Sequence, residues 1–176
     1  MSRNADPTIY IQALAENLSR IELVARQLSA DQLREAPEPG AWSANEILWH
    51  IRATADVYGK HINRILTEDT PTWSHVSPRA QMKKSRYDQL PFADSLAAFQ
   101  QQRTNLLAQL GNLAPAAWQR TALVRVPYRT DGRDWRLTLH ERVWGLADHE
   151  TGHVREMEHA AAALTPGQLA NRPARP

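Results

Sequence analysis

Four long stretches of this sequence repeat apolar residues every three or four positions, which restricts the chain to a largely helical fold. They cover about residues 7–29, 43–66, 92–112 and 138–164. Four amphipathic helices in a chain of 176 residues predict an all-α protein built as a four-helix bundle. The repeating positions are Tyr10, Leu14, Leu18, Ile21, Val24 and Leu28; Ile47, Ile51, Ala55, Tyr58, Ile62 and Ile65; Phe92, Leu96, Phe99, Arg103, Leu106 and Leu110; and Leu139, Val143, Leu146, His149, His153, Met157, Ala160 and Leu164.

The connections between these helices limit how the bundle can be ordered. The first connection is short, so helices one and two are predicted to be antiparallel neighbours. The other two connections each exceed 20 residues, which leaves both an up-down-down-up and a simple up-and-down order open. In the third connection, apolar residues alternate with arginines over 124–129, and the sequence Asp131-Gly132 is a turn signal. A short β-hairpin is therefore expected there.

Composition excludes several classes of protein. The chain has no cysteine, which removes disulfides, thiolate nucleophiles and cysteine-bound zinc. It has no apolar run of the ~20 residues that span a bilayer and no apolar leader at its start, so we expect a cytoplasmic protein without a membrane partner. A net charge of +2 does not call for a nucleic-acid partner.

Two histidines of the last helix have the spacing of a metal chelate. His149 and His153 lie four residues apart, so both imidazoles can reach one point in front of the helix. Both also lie on the apolar stripe, where an imidazole without a partner is costly. Metal binding and hydrogen-bonded structural histidines both remain open on this pair alone.

A third ligand would have to come from another helix. His50 lies on the edge of the second stripe, one turn after Glu46, which forms a predicted capping box with Ser43. His61 lies about 16 Å farther along that helix, too far to join the same site. His75 falls in a loop and His140 opens the last helix; surface or capping roles are expected for both.

The letters HETGH at 149–153 also match the zincin pattern His-Glu-x-x-His, in which the glutamate is the general base. A third zincin-like ligand would be His159. On an unbroken helix, however, His159 points about 120° away from His153, and Glu150 points about 100° away from His149. We therefore expect neither side chain to line a site formed by the histidine pair.

Taken together, the segments 40–51, 66–73 and 146–157 resemble the DinB/YfiT-like superfamily of metal-dependent proteins. The resemblance covers about residues 8–165 and rests on Trp42-Ser43, His50, His149 and His153. It implies an up-down-down-up four-helix bundle in which these three histidines hold a divalent ion, usually zinc or nickel, with water completing the shell. It further implies frequent homodimers, and chemistry on small molecules that uses a low-molecular-weight thiol.

Two hypotheses about function follow. The first is a metal-dependent enzyme, either a thiol S-transferase or a hydrolase, that acts on a small molecule. The second is a metal-stabilised bundle without catalysis that binds a small molecule or a protein. Residues 1–165 are expected to form the bundle, and residues 166–176 a disordered tail. The arginines of the third connection, at 120, 125, 129, 133 and 136, are expected either to cover the mouth of the site or simply to be solvated.

Overall fold

The computed structural model describes residues 1–75, 78–125 and 134–165. Long helices account for most of this part of the chain, as the apolar periodicity predicted. The helices are α1 (Pro7–Gln27), α2 (Ala44–Thr67), α3 (Pro78–Ser85), α4 (Phe92–Gly111) and α5 (Leu139–Leu164), and the strands are β1 (Thr72–Ser74), β2 (Thr121–Arg125) and β3 (Trp135–Thr138). No helix in the described ranges is both long enough and apolar enough to cross a membrane.

Side chains at the helix starts explain where the helices begin. Ser43 accepts a hydrogen bond from the amide of Glu46, whose carboxylate accepts one from the Ser43 amide, so the predicted capping box is formed. Thr138 and Glu141 make the same reciprocal pair at the start of α5. These caps supply partners for amides that lack one inside the helix.

The four long helices surround a common core, but the first two are not close neighbours. α1 packs against α5 and α4, and α2 packs against the same two helices. The predicted pairing of the first two helices is therefore wrong, even though the connection between them is short. That connection, residues 28–43, contains a one-turn 3-10 helix (Gln32–Arg34) that packs on α2 and α5, so the chain reaches α2 without placing it beside α1.

A small sheet covers one end of the bundle. β2 pairs antiparallel with β3. The turn of the predicted hairpin, at Asp131-Gly132, falls in residues 126–133, outside the described part of the chain. β1 pairs parallel with β2, with Trp73 opposite Val124. The sequence did not predict β1, because three residues are too short to show an alternating pattern.

The core has two apolar halves with polar side chains between them. One half lies toward the sheet and includes Leu14, Leu106 and Ala147. The other lies toward the far end of the bundle and includes Ile21, Phe99 and Val154. Between these positions in α1, α4 and α5 stand three buried polar residues: Asn17, Arg103 and Glu150.

Candidate metal centre

Three histidines from two helices meet on the seam between α2 and α5. His50 comes from α2, and His149 and His153 come from successive turns of α5. One ring nitrogen of each lies within 4.8 Å of one ring nitrogen of the other two. Such a group of nitrogen donors is suited to one divalent ion. These are the three residues that the sequence pattern singled out.

The ring geometry shows which nitrogens face one another. Nε2 of His50 lies 3.1 Å from Nε2 of His149. The ring centroids of the three histidines lie 4.4–5.0 Å apart, and the rings are inclined rather than stacked. Inclined rings with nitrogens this close allow several imidazoles to share one metal ion, which stacked rings would not.

The outer nitrogens of the rings have different surroundings. Nδ1 of His153 lies 2.7 Å from the carboxylate of Glu156, one turn farther along α5. Nδ1 of His50 lies 3.0 Å from the sulfur of Met82 on α3. Nδ1 of His149 is buried and has no hydrogen-bond partner in the described part of the chain. A carboxylate on the outer nitrogen fixes the tautomer that leaves Nε2 free to bind a metal, so Glu156 is placed to orient His153.

Burial keeps two of these imidazoles neutral. Loss of solvent lowers the pKa of His50 to about 4, and repulsion from the protonated forms of His153 and His149 adds to the effect. Loss of solvent, followed by repulsion from His153, also lowers the pKa of His149 to about 4. Neutral imidazoles are the form that binds metals, so neither residue has to lose a proton to do so near pH 7.

Trp42 forms one wall of the site. Its ring is stacked on His153 with a centroid separation of 5.9 Å, and it is tilted against His50 at 5.2 Å. The loop that carries it contains Gly40 at a φ of +85°, a backbone conformation that suits glycine. The predicted Trp-Ser entry to α2 therefore has two functions, because Ser43 caps the helix while Trp42 packs on the histidines.

A groove of about 700 Å³ opens beside the histidine cluster, and we call it the histidine groove. Its floor comes from α5 and its rim from the loop before α2. The residues that line it are Pro37, Glu38, Gly40, Ala41, Trp42, Ile47, His153, Glu156, His159, Ala160 and Ala163. The sequence did not assign Glu156 to a site, although its spacing of three residues from His153 was an available signal. His159 was excluded as a ligand by its direction on the helix, and no signal in the sequence placed it at the groove.

The remaining candidates from the sequence lie elsewhere. Glu46 is engaged in the capping box, as expected. His61 lies outside the cluster and stacks on Trp73, with centroids 4.1 Å apart. His140 packs edge-on against Tyr10. His159 is not one of the three clustered histidines, although it borders the groove.

The zincin interpretation does not fit the structure. Helix α5 continues unbroken to Leu164, so the chain does not bend after His153 as a metzincin requires. Glu150, which would be the general base, is 1% exposed and forms an ion pair with Arg103 in the core. A carboxylate held there cannot reach a substrate in the groove.

The arginines of the third connection do not border the histidine groove where the structure describes them, and the expectation that they cover it is wrong there. Arg120 donates hydrogen bonds to the backbone oxygens of Ile65 and Glu68. Arg125 lies 3.7 Å from Asp134. Strands β2 and β3 precede α5 in the chain, and Leu139, the first residue of α5, lies about 15 Å along the helix axis from His149. Arg129 and Arg133 lie outside the described residues.

The fold and the histidine cluster define a class of protein: a helical bundle with three histidines arranged to hold a divalent ion. The chain belongs to the DinB superfamily, whose profile matches residues 13–157. This confirms the resemblance seen in the sequence motifs. No curated protein matches the sequence significantly.

Solved structures share this fold at low sequence identity. YfiT from Bacillus subtilis, described as a probable metal-dependent hydrolase with an unusual four-helix bundle topology, superimposes with a TM-score of 0.74 at 18% identity, over 92% of this chain and 91% of YfiT. A mycothiol-dependent maleylpyruvate isomerase gives 0.62 at 16% identity, and the match spans 93% of this chain but 63% of the isomerase. A conserved protein from Enterococcus faecalis gives 0.56 at 16% identity, over 91% and 96% of the two chains.

Proposed function

We propose that His50, His149 and His153 bind one divalent ion and that the protein is a metal-dependent enzyme acting on a small molecule. The observation that carries this proposal is the meeting of three nitrogen donors within 4.8 Å of one another beside an open groove. The donor set suits zinc or nickel, because imidazole is a common ligand of both. The low pKa of His50 and of His149 agrees with such a site.

Three protein ligands leave coordination positions open, as in catalytic zinc sites. When bound there, the ion supplies Lewis acidity and a position for a water molecule or a thiol sulfur. The chain has no cysteine, so any thiol must come from a small molecule. The residues of the chain hold the site: Glu156 orients His153, Trp42 packs on the ligand rings, and buried helix faces keep His50 and His149 in place.

The histidine groove indicates what kind of molecule the site accepts. Its described lining combines apolar side chains with the carboxylates of Glu38 and Glu156, and it includes no lysine or arginine. A neutral or cationic small molecule with apolar parts fits this lining better than an anion does. Three titratable side chains of the groove lie outside the ligand set: Glu38, Glu156 and His159. We propose Glu156 and His159, which lie on the same helix as His153, as candidates for proton transfer.

Elemental analysis followed by turnover assays tests this function. Wild-type protein should contain about one ion per chain, and His50→Ala, His149→Ala and His153→Ala should each lose it. His61→Ala is the matched control, because His61 lies on α2 outside the cluster. Full occupancy in any of the three ligand variants would remove that residue from the site.

The assays then separate the two reactions. One panel pairs low-molecular-weight thiols with electrophiles, and a second contains esters and amides. Metal-dependent turnover in the first panel supports a thiol S-transferase, and turnover in the second supports a hydrolase. A metal-loaded protein that turns over neither panel would instead support the second function proposed from the sequence, a metal-stabilised binding module.

We further propose that the bundle has the up-down-down-up order and that residues 1–165 form one domain. Contacts between distant residues support this order. Tyr10 with His140 and Arg20 with Glu158 make α1 parallel to α5. Trp42 with His153 and Tyr58 with Gly145 make α2 antiparallel to α5, while Arg52 with Ser95 and Asp56 with Gln102 make α2 parallel to α4.

A further inference from the structure

A second cavity lies on the same α2–α5 seam, at the end that the sheet covers. It has a volume of about 210 Å³ and is much more enclosed than the histidine groove. Aromatic rings from α2, α5 and two strands supply much of its wall, and we call it the Arg142 cavity. Its lining includes Tyr58, His61, Trp73, Trp135, Arg142 and Trp144.

Arg142 is the unusual feature of this cavity. Its guanidinium lies over the ring of Tyr58 at 4.6 Å and near the ring of Trp73 at 5.7 Å. Its Nε is buried and has no hydrogen-bond partner, and within the described ranges no carboxylate forms an ion pair with it. The side chain as a whole is partly buried, and it also hydrogen-bonds with Tyr58. A cation that is largely removed from water and lacks a paired carboxylate is costly, and the tyrosine and the faces of two rings compensate for only part of that cost.

The other charged groups at the cavity are already engaged. Glu141 pairs with Arg3 and also caps the start of α5. Arg64 lies against the face of Trp73 at 5.6 Å but is paired with Glu68. Burial lowers the pKa of His61 to about 3, and repulsion from Arg142, Arg64 and His75 adds to this, so its ring is neutral. Among the described residues of the cavity, Arg142 is therefore a cation that no carboxylate pairs with, set against aromatic rings.

We propose that the Arg142 cavity binds a small aromatic carboxylate, independently of the metal centre. The carboxylate would accept hydrogen bonds from the guanidinium of Arg142, whose planar geometry matches it. The ring would pack against the tryptophans and tyrosine of the wall. The volume is adequate, because a cavity of roughly 150 Å³ is known to hold benzene. Arg142 lies about 10 Å along α5 from His149, so the two sites are separate.

Benzoate is the probe that tests this proposal, with benzamide as its neutral counterpart of the same shape. Because a carboxylate can also bind a metal ion, the full chain is titrated both with and without a chelator, and binding is followed by tryptophan fluorescence and calorimetry. Benzoate should bind with the same affinity under both conditions, and benzamide at least about tenfold more weakly. Benzoate binding that requires the metal, equal binding of benzamide, or no binding of benzoate at millimolar concentration would each overturn the proposal.

Variants then assign the site. Arg142→Gln should weaken benzoate binding at least about tenfold, whereas Arg64→Gln, which removes a cation on the same tryptophan, should leave it unchanged within about twofold. Unchanged affinity in a folded Arg142→Gln variant would overturn the proposal. Should that variant lose its helical circular dichroism, Trp135→Ala serves instead, because Trp135 is 45% exposed and lines the cavity. Its benzoate affinity should fall severalfold, and an unaltered affinity would count against the site.

Discussion

Arg103 on α4 donates a hydrogen bond to the carboxylate of Glu150 on α5, and both side chains are 1% exposed. Asn17 on α1 donates to the other carboxylate oxygen, at 3.3 Å. Three helices are thus joined at one buried point between the two apolar halves of the core. Glu150 follows His149 directly, so this connection also fixes the turn of α5 that carries a proposed ligand.

Removing one partner of this pair is expected to destabilise the protein strongly. Glu150→Ala leaves the Arg103 guanidinium buried without its counter-ion, which costs about 3–5 kcal/mol. The double variant Arg103→Leu/Glu150→Leu removes both charges and should lose much less than the sum of the single variants. Denaturant unfolding at pH 7 measures both.

The ion pair between Arg20 and Glu158 provides the comparison, because it joins the same helices as Asn17 and Glu150 but is partly exposed. Glu158→Ala should cost no more than about 1 kcal/mol. A loss in Glu150→Ala as small as the loss in Glu158→Ala would show that the buried pair contributes little to the fold.

Glu156 is expected to strengthen metal binding without being a ligand. Its carboxylate lies 2.7 Å from Nδ1 of His153 and fixes that ring. Glu156→Ala should weaken metal affinity by about 10- to 100-fold, while Glu156→Gln, which keeps an acceptor oxygen, should have a smaller effect. Competition with a chromophoric chelator measures these affinities. Glu158→Ala, on the same helix but facing α1, should bind metal like the wild type, and equal affinities in all four proteins would exclude this role.

Metal removal is expected to lower stability but to leave the fold intact. The apolar faces of four helices form the core, so folding does not depend on the ion as it does in a zinc finger. Loss of a ligand present at about 100 times its Kd costs roughly 3 kcal/mol, which lowers the melting temperature by about 5–10 °C in a chain of this size. Circular dichroism with and without a chelator measures both. A chelated protein without helical signal would contradict this prediction.

The sequence predicted those features that depend on local spacing. Helical stripes, the capping box of Ser43 and Glu46, and the close approach of His149 and His153 all arise from residues a few positions apart. His50 was added to this pair as a candidate third ligand, because a histidine on the second helix is part of the family motif.

Features that depend on contacts between elements could not be predicted in this way. Met82 beside His50, and β1 beside β2, result from how connections fold back over the bundle. Arg103 stands on the apolar stripe of its helix, which indicates a buried charge. Its partner Glu150 lies 47 positions farther along the chain, so local spacing could not identify it. The sequence left two alternatives open for the arginines of the third connection, because sequence distance from His149 does not show which end of α5 the strands cover.

The stability of the protein is expected to fall as the pH is lowered from about 6.5 toward 3, partly because of His61. The half-buried ring of His61 stacks on Trp73, and its pKa in the folded state is about 3 against 6.5 for an unperturbed histidine. Above pH 6.5 the ring is neutral in both states. Below it the unfolded chain binds a proton that the folded protein does not, so the free energy of unfolding decreases.

His61→Gln should show a weaker pH dependence than the wild type. After allowance for the exposed part of the ring, His61 should account for about 1 kcal/mol of the loss between pH 7 and pH 5. Urea unfolding at both pH values, in the presence of a chelator so that metal release does not contribute, measures the difference. The comparison at pH 7 separates the packing cost of the substitution from the titration. Parallel pH profiles for the two proteins would show that His61 titrates at the same pH in the folded and unfolded states.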